Sequence, residues 1–423
     1  MTKKIIVIAA FLIGFVGYSQ ENTSSPYSFY GLGEVKFKGT EDAKAMGGLS
    51  ILADSINLNL SNPASYSSLN RVTFAVGSTT SFNTLKNSTT SEKAKRTSFD
   101  YLAIGIPMGK IGASFGLMPY SAVGYKVKNT FTDADNTSLE RSKRYTGNGN
   151  INKAFIGGAY SINSDFSVGL DLQYNFGTLK NTVSESLIDN GTAIQLSTSE
   201  KNTSNINGLS VSAGLMYKRK INEKLDFYSS TTYSPESKLN STNTRNTATV
   251  TYSSSGGTEY TNASNEDVVT ETDLILPSRL SIGAGIGERN KWLIGSEVIL
   301  QSNSNLVNRF TNSNTFSYKN SQTFILGGFY IPQFDAYSGY FKKVIYRAGL
   351  RYESTGLIVN NENINDFGMN FGLGLPVGLS KINIGLEFGK KGTTNSNLIQ
   401  ENYFNLSFGL SLSDKWFRKR KID

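Results

Sequence analysis

Apolar and polar residues alternate along most of this chain, and the last alternating segment shows the pattern most clearly. Its apolar positions are separated by single polar or small residues: Phe404, Leu406, Phe408, Leu410 and Leu412. Successive side chains of a β-strand point to opposite faces, so all five would lie on one face. The pattern predicts a strand with one apolar face and one polar face.

Similar segments recur throughout residues 70–412 and predict a sheet of about fourteen strands. Two further clear segments are 166–176 and 382–388. The others are 71–79, 97–107, 111–118, 146–162, 207–218, 223–233, 276–287, 290–301, 322–331, 343–353 and 366–376. We expect the last strand to pair with the first, because closing the sheet removes its edges.

The links between these segments fall into two classes. Met108-Gly109-Lys110 and Asn163-Ser164 are short and predict tight hairpins. Four longer stretches are rich in Ser, Thr and Asn: 83–96, 128–145, 180–206 and 235–272. Short turns at one end and long loops at the other are typical of outer-membrane barrels, so we expect these stretches to be extracellular loops.

Aromatic residues near the segment ends favour a membrane barrel over a soluble β-sandwich. They include Tyr174, Phe176, Tyr217, Tyr233, Trp292, Tyr346, Tyr352 and Trp416. The polar face carries Gly, Ser and Asn, together with the candidate lumen-facing residues Arg347, Arg351, Glu353 and Glu387. Girdles of aromatic residues flank the apolar band of such barrels. The predicted fold class is therefore all-β, a transmembrane antiparallel β-barrel of about fourteen strands.

The first residues have the pattern of a signal peptide. Lys3 and Lys4 precede an apolar run over 5–16, and small residues follow at the positions expected before a cleavage site. The run is shorter than the ~20 residues that a spanning helix needs. We predict that residues 1–19 are a cleaved signal peptide and that the mature chain enters the cell outer membrane as a closed barrel.

The composition limits the reactions that the chain could catalyse, because the chain contains no Cys and no His. Thiol chemistry, disulfides and every catalytic arrangement that needs imidazole are excluded. No phosphate-binding loop or metal-ligand spacing occurs, so we expect no enzyme activity, cofactor or metal. The formal net charge of +9 becomes +7 without Lys3 and Lys4 (9 − 2). For an exported chain this surplus suits contact with outer-membrane lipid, and no nucleic-acid partner is expected.

Residues 20–70 lack the strand pattern. They contain Met46-Gly47-Gly48 and Asn62-Pro63-Ala64. A barrel of about fourteen strands is wide enough to need filling. We therefore predict three parts in the mature chain: an N-terminal plug, or hatch, over 20–70, the barrel over 71–412 and a basic periplasmic tail over 413–423.

This order of features resembles the FadL/TodX family of outer-membrane transporters for hydrophobic compounds. Asn62-Pro63-Ala64 resembles the Asn-Pro-Ala of the family's hatch, and Gly-Leu-Met-Pro-Tyr-Ser at 116–121 resembles its third strand. Leu276-Pro277 resembles one of its strand starts, and 346–352 resembles a later strand. The resemblance covers most of the chain and implies the same barrel with a hatch in its lumen.

In that family, hydrophobic molecules enter the barrel from outside and leave sideways beside a kinked third strand. The resemblance places such a lateral gap at Pro119, which cannot donate to the strand ladder. An ordinary strand end there is the alternative. Arg347 and Arg351 would hold a carboxylate head group, or would form an internal ion-pair network with Glu353, Glu387 or the hatch.

Two functions follow from the sequence. The first is passive uptake of a hydrophobic or amphipathic small-molecule ligand, fatty-acid-like or aromatic. The second is a non-transporting barrel subunit or shuttle of a secretion or outer-membrane assembly complex, with envelope protein partners. The opening at 27–33 and the basic tail resemble a divergent branch that includes PorV-like partner-binding proteins. A general polar porin is disfavoured, because the hatch would block its lumen.

Overall fold

The structure, a computed structural model, describes residues 22–132, 139–189, 192–252, 258–260, 265–306, 316–334, 339–378 and 380–414. Its strands form one antiparallel sheet. They are β1 (Glu34–Val35), β2 (Val72–Lys86), β3 (Ser91–Met108), β4 (Ile111–Thr132), β5 (Leu139–Ser161), β6 (Phe166–Asp189), β7 (Thr192–Lys220), β8 (Leu225–Ser234), β9 (Ser237–Tyr252), β10 (Thr258–Tyr260), β11 (Asn265–Leu276), β12 (Arg279–Glu288), β13 (Trp292–Gln301), β14 (Phe316–Tyr318), β15 (Ser321–Tyr330), β16 (Ile345–Val359), β17 (Glu362–Val377), β18 (Ser380–Lys391) and β19 (Gln400–Asp414). The α-helices are α1 (Glu41–Lys44) and α2 (Tyr340–Lys343), and 3-10 helices span Pro26–Phe29, Pro63–Ser68, Asn303–Asn305 and Asn395–Asn397.

These nineteen strand segments build a closed wall of fourteen strands, because three wall strands are interrupted. β8 and β9 both pair with β7 and are separated by Pro235 and Glu236. β12 and β11 pair in turn with β8 and β9, and Pro277 lies between them. β14 and β15 both pair with β16. Proline has no N–H to donate, which explains the first two breaks. β10 extends a hairpin tip, and β1 lies off the wall.

The last strand closes the barrel against the first wall strand, as the sequence predicted. β19 pairs with β2 from Gln400 opposite Lys86 to Asp414 opposite Val72. Closure gives both strands a partner on each side, so no long edge remains at this seam. The predicted strand number and the antiparallel barrel fold are confirmed.

Side-chain burial follows a period of two along the wall strands. On β16, Tyr346, Leu350 and Tyr352 are exposed, whereas Arg347 and Arg351 are buried. On β19 the exposed residues are Phe408, Leu410 and Leu412, whereas Ser407 and Ser411 are buried. The apolar face therefore lies outside, and the polar and charged face lies inside. A soluble core would have the opposite arrangement.

The predicted hairpins form at one end of the barrel. Gly109 has a φ of 75° in the turn between β3 and β4, a left-handed conformation that suits glycine. Between β5 and β6, the Asn163 side chain accepts hydrogen bonds from the N–H groups of Asp165 and Phe166, each at 2.8 Å. Such a side-chain cap stabilises a tight turn.

The expectation of long extracellular loops was wrong. Most of the described residues in those four polar stretches continue the wall strands, so that β6 has 24 residues and β7 has 29. A membrane-spanning strand needs only ~9–11 residues. In these extensions buried positions are polar as well, such as Ser197, Ser199 and Ser204 of β7, so the apolar alternation that reveals a strand is absent. The backbones still pair across each hairpin, and Thr and Val favour the extended conformation.

Residues 22–71 pack against the inward faces of strands around the wall. The 3-10 helix Pro63–Ser68 contacts β5, β6 and β7, and α1 contacts β17, β18 and β19. The predicted signal peptide and residues 415–423 of the predicted tail lie outside the described residues. Within the described residues, no helix is long and apolar enough to cross a membrane.

Candidate functional site

Asn62-Pro63-Ala64 caps a short helix and attaches it to the wall. Asn62 Oδ1 accepts a hydrogen bond from the Ala64 N–H at 3.0 Å, at the start of the 3-10 helix. Its Nδ2 donates to the carbonyl oxygens of Leu215 on β7 and Thr231 on β8, at 3.2 and 3.4 Å. Pro63 suits the first helical position, because its fixed φ matches a helix and it lacks an N–H. The tripeptide therefore lies in the interior and contacts two strands.

Met46, Gly47 and Gly48 bring the N-terminal segment into backbone contact with the wall. Met46 is buried, and Gly47 and Gly48 have φ of 76° and 100°. A Cβ on Gly349 of β16 would lie 2.2 Å from the Met46 carbonyl carbon, well inside van der Waals contact. The wall glycine is thus required for the close approach of two backbones.

Ion pairs join the N-terminal segment to strands on several sides of the wall. They are Lys38 with Asp366 (3.4 Å), Lys44 with Asp100 (2.7 Å), Asp54 with Lys381 (3.3 Å) and Glu34 with Lys391 (3.7 Å). The Lys44–Asp100 pair is mostly buried, with side-chain exposures of 15 and 7 %. Removing one partner of a buried pair leaves an uncompensated charge, which makes such a pair costly to break.

A β-bulge on β3 directs two consecutive side chains towards α1. Tyr101 lies opposite Gly77 and Phe99 opposite Ser78, so Asp100 has no partner on β2. Both Asp100 and Tyr101 are buried, and the Tyr101 hydroxyl accepts a hydrogen bond from the Glu41 N–H at 3.1 Å. An extra residue in one strand is a common way to re-aim a side chain. Burial of Glu41 raises its pKa to about 7.

Arg351 lies at the centre of an ion-pair network. Its guanidinium contacts Glu353 at 2.9 Å, Asp366 at 3.1 Å and Glu387 at 3.0 Å, and it donates to the Tyr403 hydroxyl at 3.1 Å. This is the network alternative raised by the sequence. With three carboxylates around it, Arg351 has no remaining charge to attract a fourth.

Arg347 is buried on the same face but has a different partner. Its Nη1 donates to Asn383 Oδ1 at 3.0 Å. It lines a cavity of about 460 Å³ at the end of the barrel that carries the short turns. The two arginines predicted as a pair therefore lie in separate environments.

The backbone pairing between β3 and β4 ends beside Pro119, and the unpaired stretch between them is called the opening below. β3 and β4 pair only between Met108 opposite Ile111 and Leu102 opposite Leu117, and beyond that point β4 pairs with β5 alone on the wall. Seven of the eight residues 118–125 are buried, so both faces of this part of β4 are covered. The strand has turned inwards from the wall, and β1 pairs with its freed edge at residues 121 and 122.

A bulge immediately after Pro119 accompanies this turn. Pro119 lies opposite Asn152 and Ser121 opposite Ile151, which leaves Tyr120 without a partner on β5. The Tyr120 carbonyl accepts a hydrogen bond from the Lys36 N–H at 2.9 Å. The N-terminal segment thus takes over backbone groups that the wall no longer pairs.

A cavity of about 300 Å³ lies inside this opening. Its lining includes Pro119, Tyr120, Lys153, Leu276, Arg279 and Ile299. Lys153 Nζ lies 4.9 Å from the centroid of the Tyr120 ring, within the range of a cation–π contact. Sequence reasoning missed Lys153 and Arg279. The sequence signal that could have identified them is a single cation at an inward strand position. Lys153, for example, lies between the inward residues Ile151 and Phe155 on β5.

A family model described as BamG matches residues 1–423, the whole chain. The chain belongs to the BamG family. Its family membership is established by sequence, whereas no curated protein matches it. The inward turn of β4 and the packed N-terminal segment are thus features of a BamG-family barrel.

Solved structures show that this BamG-family chain has the fold of the FadL/TodX channels. The Pseudomonas putida toluene transporter TodX matches with a TM-score of 0.60 at 14 % identity, over 92 % of this chain and 100 % of that one. A Pseudomonas aeruginosa FadL homologue matches at 0.57 and 12 %, over 89 and 98 %. The CymD monoaromatic hydrocarbon channel matches at 0.52 and 14 %, over 92 and 99 %. The resemblance inferred from sequence motifs is therefore confirmed for the fold.

Proposed function

We propose that this protein is a plugged barrel subunit of the complex that assembles outer-membrane β-barrels. The name of its family, BamG, implies partners from the Bam complex, and the family covers residues 1–423. The observation that carries the proposal is the attachment of the N-terminal segment, which four ion pairs join to the wall. A barrel with a firmly attached plug suits a rigid scaffold better than an open pore.

Two further features support a scaffold. Arg351, one of the two arginines that the sequence offered for a ligand carboxylate, is already surrounded by Glu353, Asp366 and Glu387. The long strands β5, β6 and β7 extend well beyond the length that a bilayer requires. Because they are paired, they offer a partner an ordered polar surface without the entropy cost of folding a loop.

Native purification tests the proposal. The tagged chain would be extracted in mild detergent, and proteins recovered with it would be quantified by mass spectrometry. An unrelated outer-membrane barrel with the same tag is the control. We expect near-stoichiometric recovery of barrel-assembly subunits, and a reduced set of outer-membrane proteins after depletion of the chain. Recovery of the chain without partners, together with an unchanged outer-membrane proteome after its depletion, would rule out the scaffold role.

A second candidate function is passive uptake of a hydrophobic or amphipathic compound. It is favoured by the cavity of about 300 Å³, which reaches Pro119 at the opening between β3 and β4. Burial of a ligand's apolar surface there would contribute about 25 cal/mol per Å². Movement would follow the compound's own gradient, and exit would be sideways into lipid.

Uptake of a labelled fatty acid and of toluene would test this second function. Cells with the protein, without it, and with Pro119→Val would be compared, and Pro376→Val on β17 is the control. We expect Pro119→Val to slow uptake without loss of folded barrel, and Pro376→Val to have no such effect. Normal uptake of both compounds in the deletion strain would rule out transport and leave the scaffold role untouched.

A further inference from the structure

We propose that the turn between β15 and β16 binds anionic phospholipid in the leaflet at the short-turn end of the barrel. Exposed aromatic side chains of this turn would enter the leaflet, and Lys342 and Lys343 would contact the phosphates of the head groups. Short turns are periplasmic in outer-membrane barrels, so this is the periplasmic leaflet. The proposal goes beyond the scaffold role and does not depend on it.

The turn between β15 and β16 is much longer than the others at its end of the barrel. It spans the fourteen residues 331–344, whereas the turns after β3, β5, β7, β12 and β17 have two to four residues each. The structure describes residues 331–334 and 339–344 of it. Two residues are enough to join antiparallel strands, so the additional length needs another explanation.

The described part of this turn exposes large apolar side chains. Phe341 is 78 % exposed, more than any other large hydrophobic side chain in the part of the chain that the structure describes. Phe334 and Tyr340 are also exposed. Contact of an aromatic ring with water is unfavourable, and Phe341 has no polar group that would compensate for it. Insertion into a membrane interface would remove this surface from water.

A hydrogen bond places α2 on the lipid side of the wall. The Tyr346 hydroxyl donates to the Phe341 carbonyl oxygen at 3.3 Å, and Tyr346 belongs to the exposed outer face of β16. Tyr346 lies opposite Tyr330, which lies opposite Trp292, a residue on the same face of β13 as the exposed Ile294. These three aromatic residues form an outward row across neighbouring strands. Such rows lie at head-group level, so α2 lies at that level too.

Two lysines follow the exposed aromatic residues of α2 directly. Lys342 is exposed and Lys343 is half-buried. The Gln333 N–H donates to the Lys342 carbonyl oxygen at 2.9 Å, which closes the turn on itself and fixes the backbone that carries the lysines. A lysine can lay its apolar stem along a membrane surface while its ammonium group stays among the phosphates.

The neighbouring turn adds to the positive charge. Arg289 and Lys291 are exposed between β12 and β13, and the Ile331 N–H donates to the Lys291 carbonyl oxygen at 2.6 Å, so the two turns are in contact. Together the two turns carry four cations, and the acidic residues beside them in the sequence are Glu288 and Asp335. The local net charge is therefore +2 (4 − 2). Cations this close to an anionic lipid surface are attracted to it.

A lipid surface accounts for both halves of this turn. Its aromatic part continues the outer face of the wall, which already faces lipid, and its cationic part lies where head groups begin. A soluble phosphate would satisfy the lysines but leave Phe341 in water. A protein partner would cover Phe341, but it would not require the turn to lie beside the aromatic row of the wall.

Trp292 provides a local reporter for the test. The chain contains two Trp, so Trp416→Phe leaves Trp292 as the only one. This full-length parent barrel would be placed in phosphatidylcholine bilayers with increasing fractions of brominated phosphatidylglycerol or brominated phosphatidylcholine, because bromine quenches tryptophan fluorescence on contact. We expect an about tenfold preference for phosphatidylglycerol near Trp292, which falls at high salt. Glycerol phosphate in solution should not reduce it, because it has no acyl chains.

The double variant Lys342→Gln and Lys343→Gln should reduce this preference to about twofold or less. The matched control is Lys220→Gln with Lys224→Gln, which removes two exposed lysines at the turn between β7 and β8, at the same end of the barrel. The control should keep the preference. Heat-modifiable mobility would confirm that each variant is folded, and Lys342→Gln alone replaces the double variant should that fail to fold.

Three results would overturn the proposal. Equal quenching by the two lipids in the parent barrel would do so, and would favour a periplasmic protein as the partner of this surface. An unchanged preference in the folded double variant would show that these lysines do not contact the head groups. An equal loss in the control pair would assign the preference to the charge of the whole barrel end.

Discussion

Lys44 in α1 lies 2.7 Å from Asp100, the residue of β3 that a bulge leaves without a partner on β2. The pair joins the N-terminal segment to the wall in a mostly buried place. Lys44→Met would leave Asp100 without its cation, and loss of one partner of a buried pair costs roughly 3–5 kcal/mol. We expect larger and noisier conductance in planar bilayers, because the segment is held less firmly.

The exposed pair Lys238–Asp273 provides the control for this experiment. Its side chains are 70 and 57 % exposed, and exposed pairs contribute only ~0–1 kcal/mol. Lys238→Met should therefore leave conductance and thermal stability unchanged. Identical conductance of Lys44→Met and the unaltered protein would show that other contacts alone hold the segment.

The stability of the barrel should depend on the ionisation of Glu41. Its pKa is raised to about 7 by burial, above the ordinary value of 4.5, with Lys44 and Asp100 as the charged neighbours. The folded state therefore holds a proton that the unfolded chain releases at lower pH. The tighter binding of this proton stabilises the folded state. The stabilisation is fully present below about pH 4.5 and is lost as the pH rises through about 7.

Glu41→Gln tests that dependence, because it keeps the shape of the side chain and cannot ionise. Melting temperatures would be measured between pH 5 and pH 8. The unaltered protein should lose more stability than Glu41→Gln as the pH rises. Parallel curves for the two proteins would contradict the assignment of the proton to Glu41.

A side chain at Gly349 should displace the N-terminal segment. A Cβ there would lie 2.2 Å from the carbonyl carbon of Met46, so Gly349→Ala requires movement of one backbone. Overpacking of this kind costs roughly 1–3 kcal/mol. Gly158→Ala is the control, since nothing lies within 4 Å of its Cβ position. Protease cleavage within residues 22–71 should increase in the first variant only.

A charge on the outer face of β19 should impair membrane insertion. Phe408 is 46 % exposed and points away from the interior. An arginine near the bilayer midplane costs roughly 2–4 kcal/mol in such barrels. Phe408→Arg should reduce the folded fraction seen by heat-modifiable electrophoretic mobility, whereas Phe408→Leu should not. Equal assembly of both variants would place Phe408 away from lipid.

Removal of the N-terminal segment should open the lumen. Deletion of residues 20–66, with the preceding residues retained for export, takes away the contacts of Met46 and Asn62 with the wall. We expect a large rise in single-channel conductance from a barrel that still shows heat-modifiable mobility. Unchanged conductance of that barrel would mean that this segment does not fill the lumen.

Period-two alternation was sufficient to predict the strands that cross the bilayer. Phe408 and Leu410 face outwards and Arg347 and Arg351 inwards because one face must meet lipid and the other must not. The signal fails beyond the bilayer, where polar side chains occupy both faces of β6 and β7. Strand continuity there is decided by backbone pairing, which leaves little trace in composition.

The interior was harder to predict, because its contacts join residues far apart in sequence. Arg351 and Glu387 were selected together from one face, yet Asp366 and Tyr403 complete their network. Lys153 and Arg279 are distinguished by having no carboxylate within 4.0 Å among the residues that the structure describes. Absence of a counter-ion is a property of the folded arrangement, and no local motif reports it.

The wall strands differ in length, so the barrel wall extends much further from the membrane on one side than on the other. β7 has 29 residues and β13 has 10, a difference of roughly 60 Å measured along the strands. A partner protein bound to the long side of the wall would lie beside the entrance to the lumen without covering it. The opening between β3 and β4 lies at the start of this long side, so a partner attached there would sit directly above the sideways exit path.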